Sequence, residues 1–174
     1  MLKIAHSIDM LNEWLGRLFS WLAVFMVIMM VINVGMRYIL STGDPWQQEV
    51  VRFMHGMLFL GGAAYALKHE ALVRVDVLYQ SMDARRMAWV NIIGAVLFLF
   101  PTCGAMIYFS QDYILNSWSI HEGSSEYKGM PGVFVYKSFI WLAAVTLILQ
   151  GISSIIHNVR VLKGEEAPEV YERQ

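Results

Sequence analysis

Long stretches without a single charged side chain constrain this chain more than any motif in it. Leu18–Met36 gives nineteen such residues, Met87–Gln111 twenty-five, and Ser138–Val159 twenty-two with His157 the only ionisable group. About 20 apolar residues in a helix cross a hydrocarbon core of ~30 Å, so each stretch reads as a transmembrane helix. A fourth stretch, Phe53–Leu67, is short at fifteen residues; begun at Trp46 it reaches twenty-two but takes Glu49 and Arg52 into the membrane edge. Composition agrees. Charged residues are 16% of the 174 and apolar residues 57%, with a mean hydropathy of +0.48, whereas a soluble domain carries roughly 25% charge. A net charge of −1 leaves no basic face for nucleic acid, and the lone Cys103 excludes a disulfide framework or a paired-thiol site.

The fold class that follows is an all-α integral membrane protein, one domain over 1–174. Its four transmembrane helices are expected at about 15–39, 46–68, 85–112 and 134–159, with 160–174 as a tail. The first apolar stretch is too long for the core of a signal peptide and no A-x-A-like site follows it. Ile4, Ile8, Leu11, Leu15 and Leu18 form a stripe at spacings of 4, 3, 4 and 3, which predicts an amphipathic segment lying along the interface ahead of the first span. With four spans, nine Lys and Arg fall on the side of the termini and four on the other, which places both termini in the cytoplasm. Trp14 and Trp89 fit one interface, and Trp46, Trp118 and Trp141 the other.

Charge at the membrane edge is costly, so Glu49 and Arg52 are the first candidates for a role. At i, i+3 they are close enough to pair. With Arg37 and Trp46 they make a cluster that meets either a partner subunit or lipid headgroups. Small residues Gly56, Gly61, Gly62, Ala63, Ala64 and Ala66 slim the second helix for close packing. Gln150, Ser154 and His157, with Ser153 beside them, give the fourth helix a polar stripe for hydrogen bonds to another helix, since lipid offers no partners. Pro101 should kink the third helix. His55 and His157 lie at different depths, which argues against a bis-histidine haem, and the abundant methionines read as adaptable packing. The loop 112–137 carries Trp118, His121, Glu122, Ser124, Glu126 and the turn Gly129-Met130-Pro131-Gly132; loops rich in aromatics and acids are docking or lid elements.

In the order of these parts the chain resembles the small, DctQ-type membrane subunit of tripartite ATP-independent periplasmic (TRAP) transporters. The resemblance runs from about residue 10 to 160. It is carried by Arg37-Tyr38 closing the first helix and by Trp46, Glu49 and Arg52 in a W-x-x-E-x-x-R start to the second. Phe59-Leu60-Gly61-Gly62-Ala63-Ala64-Tyr65, then His69 with Val73-Arg74-Val75-Asp76-Val77, follow. Glu122-Gly123-Ser124 and Gly129-Met130-Pro131 come before the fourth helix. Three residues separate His69 from Val73, and Met130 stands where the family has Leu. The resemblance implies a non-enzymatic scaffold subunit without a cofactor or substrate site of its own, in a bacterial or archaeal inner membrane. Its partners would be a large DctM-type subunit holding the sodium and substrate sites, and a periplasmic binding protein that delivers an organic acid. On this reading Trp118, Glu122, Ser124 and Glu126 are docking candidates. Two other classes compete: a membrane anchor of a respiratory oxidoreductase holding haem or quinone, and a small self-sufficient channel.

Overall fold

The computed structural model describes residues 2–41, 45–69, 71, 82–125 and 129–165. It is helical throughout, with four helices long and apolar enough to cross a membrane: α1 (Leu2–Ile39), α2 (Pro45–Lys68), α3 (Ala84–Ser119) and α4 (Val133–Lys163). Among the described residues the only β-type pairing is an isolated bridge between Gly123 and Pro131. Charge-free stretches located all four helices but undershot three of them. α1 begins at Leu2 rather than near 15, α3 runs on to Ser119 and α4 to Lys163. The charges mark where hydrocarbon ends, and a helix does not stop there, because its backbone bonds persist into water. At about 1.5 Å per residue the 38 residues of α1 make a rod of about 57 Å, well beyond the ~30 Å core.

α4 is the hub. It packs against α1, α2 and α3, while α1 and α2 also pack on each other. The interior is built mainly from small and polar residues, with Ile114 and Met87 the larger apolar ones: Ala5, Ala64, Ala88, Ala95, Ala143, Ala144, Cys103 and Ser153 are buried, whereas Trp14, Trp21, Val31, Phe59, Phe98 and Phe109 are exposed. This arrangement suits lipid, where large apolar side chains gain nothing by turning inward and helices associate through close backbone approach.

In α1 the stripe read from the sequence faces out: Ile4, Leu11 and Leu18 are exposed. The buried face is the complementary series Ala5, Asn12 and Gly16, with Asp9 completing its 4, 3, 4 spacing. A Cβ on Gly16 would lie 2.2 Å from the Tyr65 ring of α2. The glycine therefore sets the α1–α2 approach.

In α3, Pro101 is accommodated by a π turn at Ala95–Leu99. The wider turn absorbs the missing donor and the ring clash that proline imposes on the turn before it. Leu99 and Phe100, at the exit of that turn, lie over Gly151 of α4, where a Cβ would meet them at 2.7 and 2.8 Å. α4 is framed by two glycines in the left-handed region, Gly132 (φ 109°) before it and Gly164 (φ 75°) after it. Both are positions that favour a residue without a Cβ.

Candidate functional site

Polar side chains concentrate at the two ends of the bundle, and each concentration ties helices together. The first lies where α2 begins and α3 gives way to α4. Glu49, in the first turns of α2, is buried. Its carboxylate accepts the Ser124 hydroxyl and, at 2.8 Å, the backbone N–H of Met130. Ser124 N–H in turn donates to the Met130 carbonyl at 3.1 Å, and Glu122 N–H to the Ser117 carbonyl at 3.0 Å. Gly129 has no room for a side chain, because a Cβ would meet Ser124 at 2.4 Å and the Glu49 carboxylate at 2.9 Å. Glu122 takes an ion pair from Lys137, whose ammonium also sits 3.8 Å from the Tyr113 ring centroid. That ammonium holds the Glu122 carboxyl below its ordinary value of 4.5. Trp118 donates to Ser138 at 2.8 Å and packs edge-on to Phe134. Phe53 of α2 stacks on Tyr136 of α4, with centroids 4.5 Å apart. Three sequence elements separated by up to 81 positions thus close into one clasp, named the outer clasp after the orientation expected from the Lys and Arg distribution.

This geometry corrects the pairing expected for Glu49. No ion pair joins it to Arg52; Glu49 turns into the protein and Arg52, three residues on, is exposed. Glu49 is a strut of the loop, and Arg52 acts on it through its charge and not by contact. Arg37 is exposed, and Trp46 is exposed at 37%. Glu122 and Ser124, expected to face a docking partner, spend their polar atoms within the chain, while Trp118 keeps 44% of its surface exposed. Glu126 and the element Val73–Val77 lie outside the described residues.

The second concentration joins α1 to α2 and α4 at the opposite end. One Asp9 carboxylate oxygen accepts Gln150 Nε2 at 3.0 Å and Ser153 Oγ at 2.7 Å, and the other meets His157 Nε2 at 3.1 Å. Asn12 Nδ2 donates to Gln150 Oε1 at 2.7 Å. One turn on, Glu13 receives Lys68 Nζ at 2.7 Å, His69 Nε2 at 2.7 Å and Arg17 Nε at 3.0 Å. The polar stripe of α4 therefore bonds across helices as its composition demanded, but through Ser153. Ser154 instead accepts Asn158 of its own helix, and Asn158 accepts Asn91 of α3 at 3.2 Å. The α1 half of this inner clasp went unread in the sequence, though Asp9, Asn12 and Gly16 at helical spacing were the available signal.

The small residues of α2 divide. Gly61 lies against Phe19, and Gly56 against Tyr136, each too close for a Cβ, whereas a Cβ on Gly62 would meet nothing within 4 Å. Ala63 is half-buried. Trp141, expected as an interfacial anchor, donates to Ser110 of α3 at 3.0 Å. Its indole therefore ties two helices together. His69 and His157 are held by carboxylates at the inner clasp, and His55 is exposed in the other half of α2. Among the described residues no three His, Cys, Asp or Glu side chains gather in a metal-binding group.

A further polar surface lies in a groove of about 500 Å³ between α1 and α2 beside the outer clasp. It is lined by Met30, Asn33, Pro45, Gln48, Val51 and Arg52.

A sequence-family profile described as "Tripartite ATP-independent periplasmic transporters, DctQ component" matches residues 26–161. No curated protein and no solved structure matches the chain. The matched stretch contains the whole outer clasp and the groove. It omits Asp9, Asn12 and Glu13, the α1 half of the inner clasp.

Proposed function

Because the chain belongs to the DctQ component family of tripartite ATP-independent periplasmic transporters, we propose that it is the fixed scaffold of such a transporter, without a substrate site of its own. Membership makes it the small membrane subunit. The observation that carries the scaffold reading is the pair of clasps. α4 is bonded to α1 through Asp9 and Asn12 at one end, and α2 is bonded to the α3–α4 loop through Glu49 at the other. A body tied at both ends suits a stationary support against which a second subunit moves. It suits an alternating-access element poorly, since that would have to break such ties in each cycle.

On this reading the moving parts, the sodium sites and the substrate site belong to a large DctM-type partner. A periplasmic binding protein supplies an organic acid. The chain lies in a bacterial or archaeal inner membrane with both termini in the cytoplasm, supported by the nine-to-four distribution of Lys and Arg. The inner overhang of α1 then sets Ile4 and Leu11 at the lipid headgroups, with the acidic and amide side chains turned onto α2 and α4. Trp118 and the outer clasp face the periplasm, where the binding protein docks.

Reconstitution tests the division of labour. Vesicles holding this chain alone should show solute uptake at background under an inward sodium gradient, and uptake should appear only when the large subunit and the loaded binding protein are added. Gradient-driven uptake by this chain alone would overturn the scaffold reading.

A further inference from the structure

We propose that the groove between α1 and α2 is a binding site for one anionic phospholipid, its phosphate held by Arg52, Asn33 and Gln48. The inference starts from an imbalance in the distribution of hydrogen bonds. Between the packed helices many polar side chains find partners inside the chain: Asn12 and Gln150 on each other, Ser153 on Asp9, Glu49 on Ser124, Trp141 on Ser110. At this groove Asn33, Gln48 and Arg52 line one cavity; among the described residues no hydrogen bond or ion pair engages any of the three side chains, and Glu49 acts on Arg52 through its charge without contact. Arg37, four residues beyond Asn33 and so on the same face of α1, is likewise exposed and unengaged. A guanidinium and two amides left open at membrane depth are costly. Their shared deficit is acceptor oxygens.

The geometry favours a lipid as the source of those oxygens. Arg52 lies six residues inward of Trp46, about 9 Å at helical rise, and side chains on a helix lean toward its N-terminus. Its guanidinium is therefore aimed back up the groove toward headgroup level. The N-terminus of α2 at Pro45 opens on the same groove and adds the positive end of the helix dipole. Met30, Val51 and Pro45 supply an apolar wall among the donors. Exposed Val27 and Phe59 continue it inward, at i−3 from Met30 and i+7 from Arg52, as a path for an acyl chain. A cavity of about 500 Å³ exceeds what one acidic side chain of a partner helix would fill, and donors from two helices match the several oxygens of a phosphodiester. The proposal rests on the membrane reading of the helices and not on the scaffold role, so it is tested on this chain without transport.

The experiment is native mass spectrometry of the full chain, released from micelles containing a trace of 1-palmitoyl-2-oleoyl-phosphatidylglycerol. One lipid should be retained per chain. Arg52→Gln should lower its occupancy roughly ten-fold, as loss of a charge-assisted donor does; Arg52→Lys should retain part of it. Asn33→Leu with Gln48→Leu should also lower it, and Arg85→Gln, at the other end of the bundle, should not. Millimolar inorganic phosphate should fail to displace the lipid; displacement would make the site one for a free anion and overturn the proposal. Equal lipid occupancy in wild type and Arg52→Gln would overturn it too. So would unchanged occupancy together with loss of co-purification with the large subunit, which would make Arg52 a protein seam.

Discussion

Glycine at position 16 and glycine at position 62 look alike in the sequence, each inside an apolar helix, and differ in what a methyl group would strike. At Gly16 it would overlap the Cβ and Cγ of Tyr65, the root of a side chain that cannot swing aside, and at Gly62 it would enter open space. Gly16→Ala should therefore destabilise the isolated chain by about 1–3 kcal/mol, the usual cost of overpacking. Gly62→Ala should be neutral, or stabilising by up to about 1 kcal/mol from helix propensity. Thermal unfolding of the two variants in one detergent checks this; equal midpoints would mean that Gly16 does not set the α1–α2 distance. Glu49 teaches the same lesson for charge. Its spacing to Arg52 suggested a pair, but a buried carboxylate takes the partners that the fold brings to it, here a hydroxyl and a backbone N–H from the loop.

At the scale of elements, the loop between α3 and α4 is held by one acid from α2 and one base from α4. The ion pair to Lys137 holds the Glu122 carboxyl below its ordinary value of 4.5. A carboxyl with a lowered folded value stabilises the folded loop at every pH above its unfolded value, and that contribution disappears as pH falls through the lowered one. The outer clasp should thus be intact at neutral pH and loosen only under acid, below about 4.5. A nitroxide on a cysteine replacing exposed Ser125 should report this as rising mobility on acidification. Glu122→Gln should raise the mobility at neutral pH and weaken its dependence on pH, while Glu49 still holds Ser124 and Met130. A wild-type spectrum that stays rigid well below the carboxylate range would show that Lys137 is not what anchors the loop.

For the whole molecule, the decisive asymmetry is that of Lys and Arg between the two ends. On the proposed orientation it puts the inner clasp in the cytoplasm and the outer clasp outside. An impermeant maleimide added to intact cells should label a cysteine replacing Ser125 and spare one replacing Lys3. Cys103 is buried and should stay silent in both. Labelling in the opposite pattern would invert the molecule and place the groove in the other leaflet. Labelling at both positions would contradict a four-span topology.

Span number, helix order and the family resemblance were legible in the sequence, because each depends on local quantities: the length of a charge-free run, or a motif a few residues long. The motifs Trp46–Arg52, Glu122-Gly123-Ser124 and Gly129-Met130-Pro131 could be found without knowing that the last two converge on Glu49. That convergence joins positions up to 81 residues apart, and no local pattern encodes it. Which face of α1 packs on the other helices was not legible from the apolar stripe, for a physical reason. In water the apolar stripe turns inward, but lipid solvates Ile4 and Leu11 as well as a protein core would, so the stripe carrying Asp9, Asn12 and Gly16 is the one driven to find partners. Which of several polar residues are satisfied within the chain, and which are left open along the α1–α2 groove, was decided only when the four helices packed.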